Sequence, residues 1–308
     1  MPRAVIRRAT LAVCGVLDFV AVADAASDPV PTTGGLIAGY EEAGLAVFKG
    51  VPFAGSTAGE ARWRLAPEVK PWDGVRDATS PGTICPQLDR FNMLPKDAAI
   101  GEDCLNLNIW SPGLGSDKKY PVLVWIHGGS FRFGAGSQDW YDGARLAQKG
   151  VVVVTINYRL DRFGTFAHPA LSRLQAGQPL ANYGIMDQVK ALQWVRDNIA
   201  AFGGDPDNVT IFGQSAGGVS VNILLVTPSA EGLFHRAFAM SGGVRVGGAR
   251  HISNDTGFEP PLEEDGVAFA AFAGVTGTSD EDIAAQLRAL PVEAFLDYSS
   301  REIPNSIN

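Results

Sequence analysis

The chain has little of what marks a metal centre, a polyanion binder or a membrane span. Its 308 residues include only four histidines and three cysteines, and no partner sits at ligand spacing from His127, so no metal site is expected. Basic runs are absent beyond the first ten residues and the formal charge is -8, which argues against nucleic acid as a partner. There is no internal repeat and no heptad pattern. The apolar stretch near the N-terminus is too short for a stable membrane span. What is plentiful is apolar content, at 46%, enough for a sizeable core in one large domain.

Arg3, Arg7 and Arg8 precede an apolar stretch from Leu11 to Val22, interrupted by Asp18, and Ala23-Asp24-Ala25 fits an A-x-A cleavage site. Residues 1–25 therefore read as a signal peptide, and the expected destination is secreted or periplasmic. Residues 26–34, rich in Pro, Thr, Ser and Gly, read as a linker, with the folded domain spanning 35–308. Cys14 would leave with the signal, and the remaining Cys85 and Cys104 form an even pair that an oxidising compartment would join.

Strand signals at Leu36 to Gly39 and Leu45 to Lys49, around a Glu-Glu-Ala-Gly turn, predict an antiparallel hairpin at a sheet edge. Residues 51–100 are loop-rich. Leu105, Leu107 and Ile109 alternate with Asn106, Asn108 and Trp110, while Pro121 to Ile126 and Val151 to Ile156 are continuous apolar runs, as in strands covered on both faces. Helical spacing between Tyr183 and Phe202 ends at Gly203-Gly204. A strand at Val209 to Phe212, a helix at Ala216 to Leu225 and a strand at Ala237 to Ser241 follow. Further helices are expected at Glu263 to Ala273 and from Asp280 to Tyr298, the latter capped by Ser279. This alternation predicts an α/β fold, a mostly parallel doubly wound sheet with an antiparallel N-terminal edge.

The chemistry concentrates in two places. Gly213-Gln214-Ser215-Ala216-Gly217 lies between a strand and a helix, and the Gly-x-Ser-x-Gly spacing makes Ser215 the tip of a nucleophile elbow. Trp125-Ile126-His127-Gly128-Gly129-Ser130-Phe131 follows another apolar strand and supplies backbone N–H groups able to face a developing oxyanion. Phe131, Phe133 and Trp140 are candidates for the wall of an apolar pocket. His127 reads as orienting the glycine loop, His235 as a local polar contact and His168 as an exposed loop residue. Asp255, Glu263, Glu264 and Asp265 read as solvated surface.

These stretches resemble the type-B carboxylesterases of the α/β-hydrolase fold. The likeness is carried by Phe202 to Gly217 and by Glu102-Asp103-Cys104-Leu105-Asn106-Leu107-Asn108-Ile109. Supporting it are Phe48 to Ala54, Asn157-Tyr158-Arg159-Leu160 and Asn182 to Gln188. The resemblance implies hydrolysis of a small-molecule carboxylic ester through an acyl-enzyme on Ser215, without metal or organic cofactor. It also implies an oxyanion hole of Gly129, Ser130 and Ala216, a Cys85–Cys104 disulfide and a structural salt bridge between Arg62 and Glu102. The chain departs from the family pattern at Gln214, where glutamate is commoner, and at Ser130 and Asp161, where glycines are usual.

Serine needs a base, normally a histidine oriented by a carboxylate, and chain order in this fold is serine, acid, histidine. Only His235 and His251 lie downstream, and neither sits in the family's catalytic-histidine motif. The acid and histidine are expected beyond Asn308, which makes this chain the N-terminal portion of such an enzyme, truncated at the C-terminus. Two alternatives stand beside that reading: a non-catalytic binding protein on the same scaffold, and a different hydrolase whose base is His251. Oligomeric state is left open.

Overall fold

The computed structural model describes residues 27–89, 91–95, 98–115, 118–243, 250–254 and 260–302. The expected signal peptide at 1–25 and Asp255 lie outside them. The strands are β1 Val30–Thr32, β2 Gly35–Ala38, β3 Tyr40–Glu42, β4 Leu45–Pro52, β5 Val75–Asp77, β6 Asn106–Ser111, β7 Tyr120–Ile126, β8 Val152–Ile156, β9 Gly204–Gln214 and β10 Arg236–Met240. The helices are α1 Ala144–Ala147, α2 Asp161–Gly164, α3 Pro169–Leu174, α4 Tyr183–Asn198, α5 Ala216–Leu224, α6 Leu262–Phe272, α7 Asp280–Ala289 and α8 Val292–Glu302.

Seven strands form one sheet in the order β10-β9-β7-β8-β6-β4-β3. β10, β9, β7 and β8 are mutually parallel, and β6, β4 and β3 continue the sheet antiparallel. The antiparallel portion thus reaches further in than an edge. Every residue of β8 is buried, as its uninterrupted Val-Val-Val-Thr-Ile run requires of a strand covered on both faces. On one face Val122, Val124, Ile126, Val154 and Ile156 pack with Val189, Leu192 and Val195 of α4 and with Val221 and Leu224 of α5. Leu45, Val47, Trp110 and Val153 meet Ala147 of α1 in a separate cluster. Gly203 ends the α4 region at φ 76°, the left-handed conformation glycine adopts without steric cost.

Several expected boundaries move. Of the supposed linker 26–34, the described residues 27–34 are part of the fold: β1 pairs antiparallel with β2 and Ser27 is buried. The hairpin partner of β4 is β3, in register Tyr40↔Val47, and not the 36–39 strand. Ala43 and Gly44, both at positive φ, make the tight turn that two-residue hairpins prefer. β2 leaves the main sheet to pair with β1 and β5. The helix expected from Asp280 to Tyr298 is two helices, because Pro291 cannot continue the first. Ser279 caps α7 as expected, its Oγ accepting from the Asp282 N–H at 3.1 Å. Asn106 and Asn108 are buried despite their alternation with apolar neighbours.

A second core of Trp63, Phe163, Phe166, Phe269, Leu287 and Phe295 joins α2, α3 and the last three helices. Arg62 ties it to the rest. Its guanidinium meets Glu102 in a bidentate pair, Nε to Oε2 at 2.8 Å and Nη2 to Oε1 at 2.5 Å, and Nη1 donates to the Leu290 carbonyl at 2.8 Å. Both side chains are almost wholly buried, at 5% and 8% exposure. Cys85 and Cys104 are joined by a disulfide with Cα atoms 5.0 Å apart.

Breaking a buried ion pair from one side strands a charge, at a cost of about 3–5 kcal/mol. Glu102→Ala is therefore expected to lower unfolding stability by that amount in urea titrations. A loss under about 1 kcal/mol would show that the carbonyl contacts suffice for Arg62.

Candidate active site

The parallel pairing of β7 with β9, in register Ile126↔Gly213, brings the two candidate loops out of neighbouring strands at the same carboxyl edge. Ligand crevices in open α/β sheets form at that edge. Ser215 stands between β9 and α5 with φ 55° and ψ -123°, a backbone region that costs a non-glycine residue about 1–3 kcal/mol. Two hydrogen bonds hold it there: the Ser215 N–H donates to the Met240 carbonyl at 2.9 Å, and its carbonyl accepts from the Val219 N–H at 2.9 Å.

The flanking glycines are required by contact. A Cβ on Gly217 would lie 2.0 Å from the Ile126 carbonyl oxygen, and one on Gly213 2.5 Å from the Gly217 carbonyl carbon. The glycine loop abuts the same turn, since a Cβ on Gly128 would fall 2.7 Å from the Gln214 carbonyl oxygen and 3.3 Å from the Ser215 Cβ. Within this loop Gly129, Ser130 and Phe131 all take positive φ, at 106°, 54° and 59°. The Gly129 carbonyl accepts from the N–H groups of Arg132 and Phe133 at 2.8 and 3.1 Å. Among the described residues, the N–H groups of Gly129, Ser130 and Ala216 donate no hydrogen bond within the protein. Ala216 also opens α5, whose N-terminal dipole end favours negative charge.

Two departures from the family pattern fall where glycine would be at home, Ser130 at φ 54° and Asp161 at φ 48°. The N–H of Asp161 donates to the carbonyl of Phe131, the residue after Ser130, at 2.6 Å.

Among the described residues no histidine hydrogen-bonds the Ser215 hydroxyl. His127 is fully buried, stacked on Tyr158 with ring centroids 4.4 Å apart, its Nδ1 donating to the Gly128 carbonyl at 2.7 Å. Burial lowers its pKa to about 4, against the opposing effect of that bond. His235 receives the Val209 N–H on Nδ1 at 3.1 Å and returns its own N–H to the Val209 carbonyl at 2.8 Å. It precedes β10 at the end remote from Ser215. His168, expected as an exposed loop residue, is instead buried and caps α3 by accepting the Ala170 N–H at 3.1 Å. His251 is exposed.

Ser130 and Phe131 also line a cavity of about 560 Å³ together with Arg132, Asp161, Arg162, Phe166, Arg250 and Asp265. Its wall is more charged than the expected apolar pocket. Of the three candidate aromatics only Phe131 lines it; Phe133 packs on Phe91 at 5.3 Å and Trp140 is 54% exposed. Asp265, expected as solvated, pairs with Arg250 at 2.5 Å. An ion pair absent from the sequence reading, Arg159–Asp187, is almost wholly buried, with Nη2 to Oδ1 and Nε to Oδ2 both at 2.7 Å. Among the described residues no cluster of three ligating side chains could hold a metal ion, and no helix is long and apolar enough to cross a membrane.

A strained serine between two contact-forced glycines, facing a glycine loop with unspent N–H groups, is the nucleophile elbow of an α/β-hydrolase, and residues 26–306 match the model of the carboxylesterase family. The chain belongs to the carboxylesterase family. It is 47% identical over 223 residues to a para-nitrobenzyl esterase of Bacillus subtilis (strain 168), covering 70% of this chain and 44% of that one. To a medium-chain fatty acyl-CoA hydrolase precursor of Anas platyrhynchos it is 39% identical, over 94% of this chain and 52% of the relative. A solved thermophilic PNB esterase superposes with a TM-score of 0.77 at 39% identity, covering 89% of this chain and 53% of the other. The fold is that of the α/β-hydrolases. The chain spans about half the length of the curated relatives it matches.

Two outcomes follow from the geometry. Gly217→Ala drives a methyl into the Ile126 carbonyl, and overpacking of this kind costs about 1–3 kcal/mol or more; urea unfolding should show at least such a loss. His127 gives stability that is complete above its unfolded pKa near 6.5 and is lost as pH falls toward 4, because the unfolded chain binds the proton that the folded one refuses. The loss amounts to roughly 3 kcal/mol at about pH 4. His127→Gln should flatten the stability profile between those pH values, and parallel profiles for the two proteins would refute the assignment.

Proposed function

We propose that this chain is the nucleophile-bearing part of an exported serine carboxylesterase acting on small-molecule carboxylic esters. The observation that carries the reading is Ser215 at φ 55° on its elbow, abutting a glycine loop whose Gly129 and Ser130 N–H groups, with that of Ala216, are free to receive an oxyanion. In the reaction Ser215 Oγ bonds to the ester carbonyl carbon, its proton passes to a base, and the carbonyl oxygen becomes the oxyanion. Collapse breaks the bond to the alkoxy oxygen, which leaves as the alcohol once protonated, and water then releases the acid from the acyl-enzyme.

The base and its orienting carboxylate are assigned to sequence beyond Asn308. Three facts support this. No described histidine hydrogen-bonds Ser215, the chain spans about half of its relatives, and among the described residues no strand pairs with the outer edge of β10, where Phe238 is 59% exposed. Export through residues 1–25 is consistent with the Cys85–Cys104 disulfide, which an oxidising compartment maintains.

A serine lacking its relay retains only the catalysis due to oxyanion stabilisation and binding. The 308-residue chain is thus expected to hydrolyse a short-chain p-nitrophenyl ester weakly, with little further loss in Ser215→Ala. Turnover on the order of 10 per second, abolished by both Ser215→Ala and His251→Ala, would show instead that these 308 residues carry a complete relay.

A further inference from the structure

We infer that Tyr158 is a positioning residue for the oxyanion loop, acting through His127 to fix the two peptide planes that lead into the Gly129 N–H, the first of the oxyanion donors; this rests on the reading of that loop as an oxyanion hole. The Tyr158 hydroxyl donates to the His127 carbonyl at 2.7 Å, and the His127 Nδ1 donates to the Gly128 carbonyl at 2.7 Å. Two successive carbonyls are therefore held on the buried side of the loop. A trans peptide unit carries its C=O and N–H on opposite sides, and the chain has no cis peptide bond among its described residues. Fixing those two carbonyls inward turns the N–H groups of Gly128 and Gly129 away from the core. It is the Gly128 backbone that meets Ser215.

The pair has no slack. Both rings are fully buried and stacked within 17° of parallel. Since the Gly128 oxygen accepts only, Nδ1 must carry the proton, leaving Nε2 without a partner among the described residues. Burial raises the Tyr158 pKa, so its hydroxyl stays a donor. Gly134 closes over the assembly, because a Cβ there would sit 2.5 Å from His127 Nδ1 and 3.0 Å from the Gly128 oxygen. Gln87 holds Gly134 at both ends, accepting its N–H at 2.6 Å and donating to its carbonyl at 2.9 Å. Neither Tyr158 nor Gln87 touches a reacting atom.

The test is Tyr158→Phe, which deletes one oxygen and keeps the stack, made in the 308-residue chain and again on the Ser215→Ala background. The readouts are thermal melting, hydrolysis of p-nitrophenyl acetate above the buffer rate, and the ¹H–¹⁵N resonances of Gly128, Gly129 and Ser130. A folded variant should lose about tenfold in limiting rate on both backgrounds, with KM within about twofold, since a full oxyanion donor is worth about 10²–10³. The loop amides should move while amides of α6 and α7 stay in place. Unmoved loop amides overturn the inference alone. Moved amides with an unchanged rate overturn it together with the oxyanion reading on which it rests.

Discussion

The site depends on one contact, the approach of the α5 entrance to the last carbonyl of β7. With a Cβ on Gly217 destined for 2.0 Å from the Ile126 oxygen, helix and strand are closer than any side chain permits. That closeness forces β9 to turn into α5 within a single residue, and Ser215 absorbs the turn at φ 55°. The strain persists because the surroundings over-determine it. Met240 holds the Ser215 N–H, Val219 holds its carbonyl, and Gly218 and Gly242 let the segment after β10 pass against the helix, where a Cβ on Gly242 would meet the Gly218 carbonyl carbon at 2.4 Å.

Around this contact the loops are held by buried polar side chains in place of regular ladders. Asn108 donates to Thr155 Oγ1 at 3.0 Å, and Thr155 in turn donates to the Gly136 carbonyl at 2.7 Å. Asn157 accepts the Gly136 N–H at 2.8 Å and donates to the Cys104 carbonyl at 3.1 Å, while Asn106 reaches the Thr83 carbonyl at 2.7 Å. An irregular backbone buried beside a sheet leaves donors and acceptors that must be satisfied. The central strands supply these partners from their own polar positions. The disulfide belongs to this network, since Gln87, two residues from Cys85, carries the clamp onward to Gly134 and the glycine loop.

Much of the fold was legible because its strongest signals are local. Continuous apolar runs marked β7 and β8, helical spacing marked α4, and the Gly-x-Ser-x-Gly spacing marked the elbow. What escaped depends on the far side of a contact. Alternation such as that at 106–110 is the general pattern of a half-covered strand, yet both faces of β6 are covered and its asparagines serve distant loops. Gly39 read as a strand end, whereas a Cβ there would strike the Val47 carbonyl oxygen at 2.0 Å, at the crossing from the small sheet into the large one. The Arg159–Asp187 pair had no local signal, because its two members come from different elements, Arg159 from just past β8 and Asp187 from α4. His168 was unreadable because a histidine cap leaves no periodic signature. The linker reading of 26–34 failed for a related reason: Thr32 and Gly35 form a turn through Thr32 Oγ1 donating to the Gly35 carbonyl at 2.7 Å, and turn-rich composition is shared by linkers and tight hairpins.

Stabilising an oxyanion and activating a nucleophile are different structural problems, and this chain solves them at different ranges. Oxyanion donors are backbone groups, so their placement needs only two parallel strands, two tight turns and the side chains that orient them, all within residues 85–242. A general base must cross space from another element to within hydrogen-bonding reach of Ser215 Oγ, and the described histidines are each committed elsewhere or exposed. His127 shows the division most clearly. It precedes Gly128, whose backbone abuts Ser215, yet its Nδ1 proton is spent on the Gly128 carbonyl and burial keeps the ring neutral to about pH 4. A ring so held cannot take up the serine proton near neutral pH; what it offers catalysis is a fixed peptide plane.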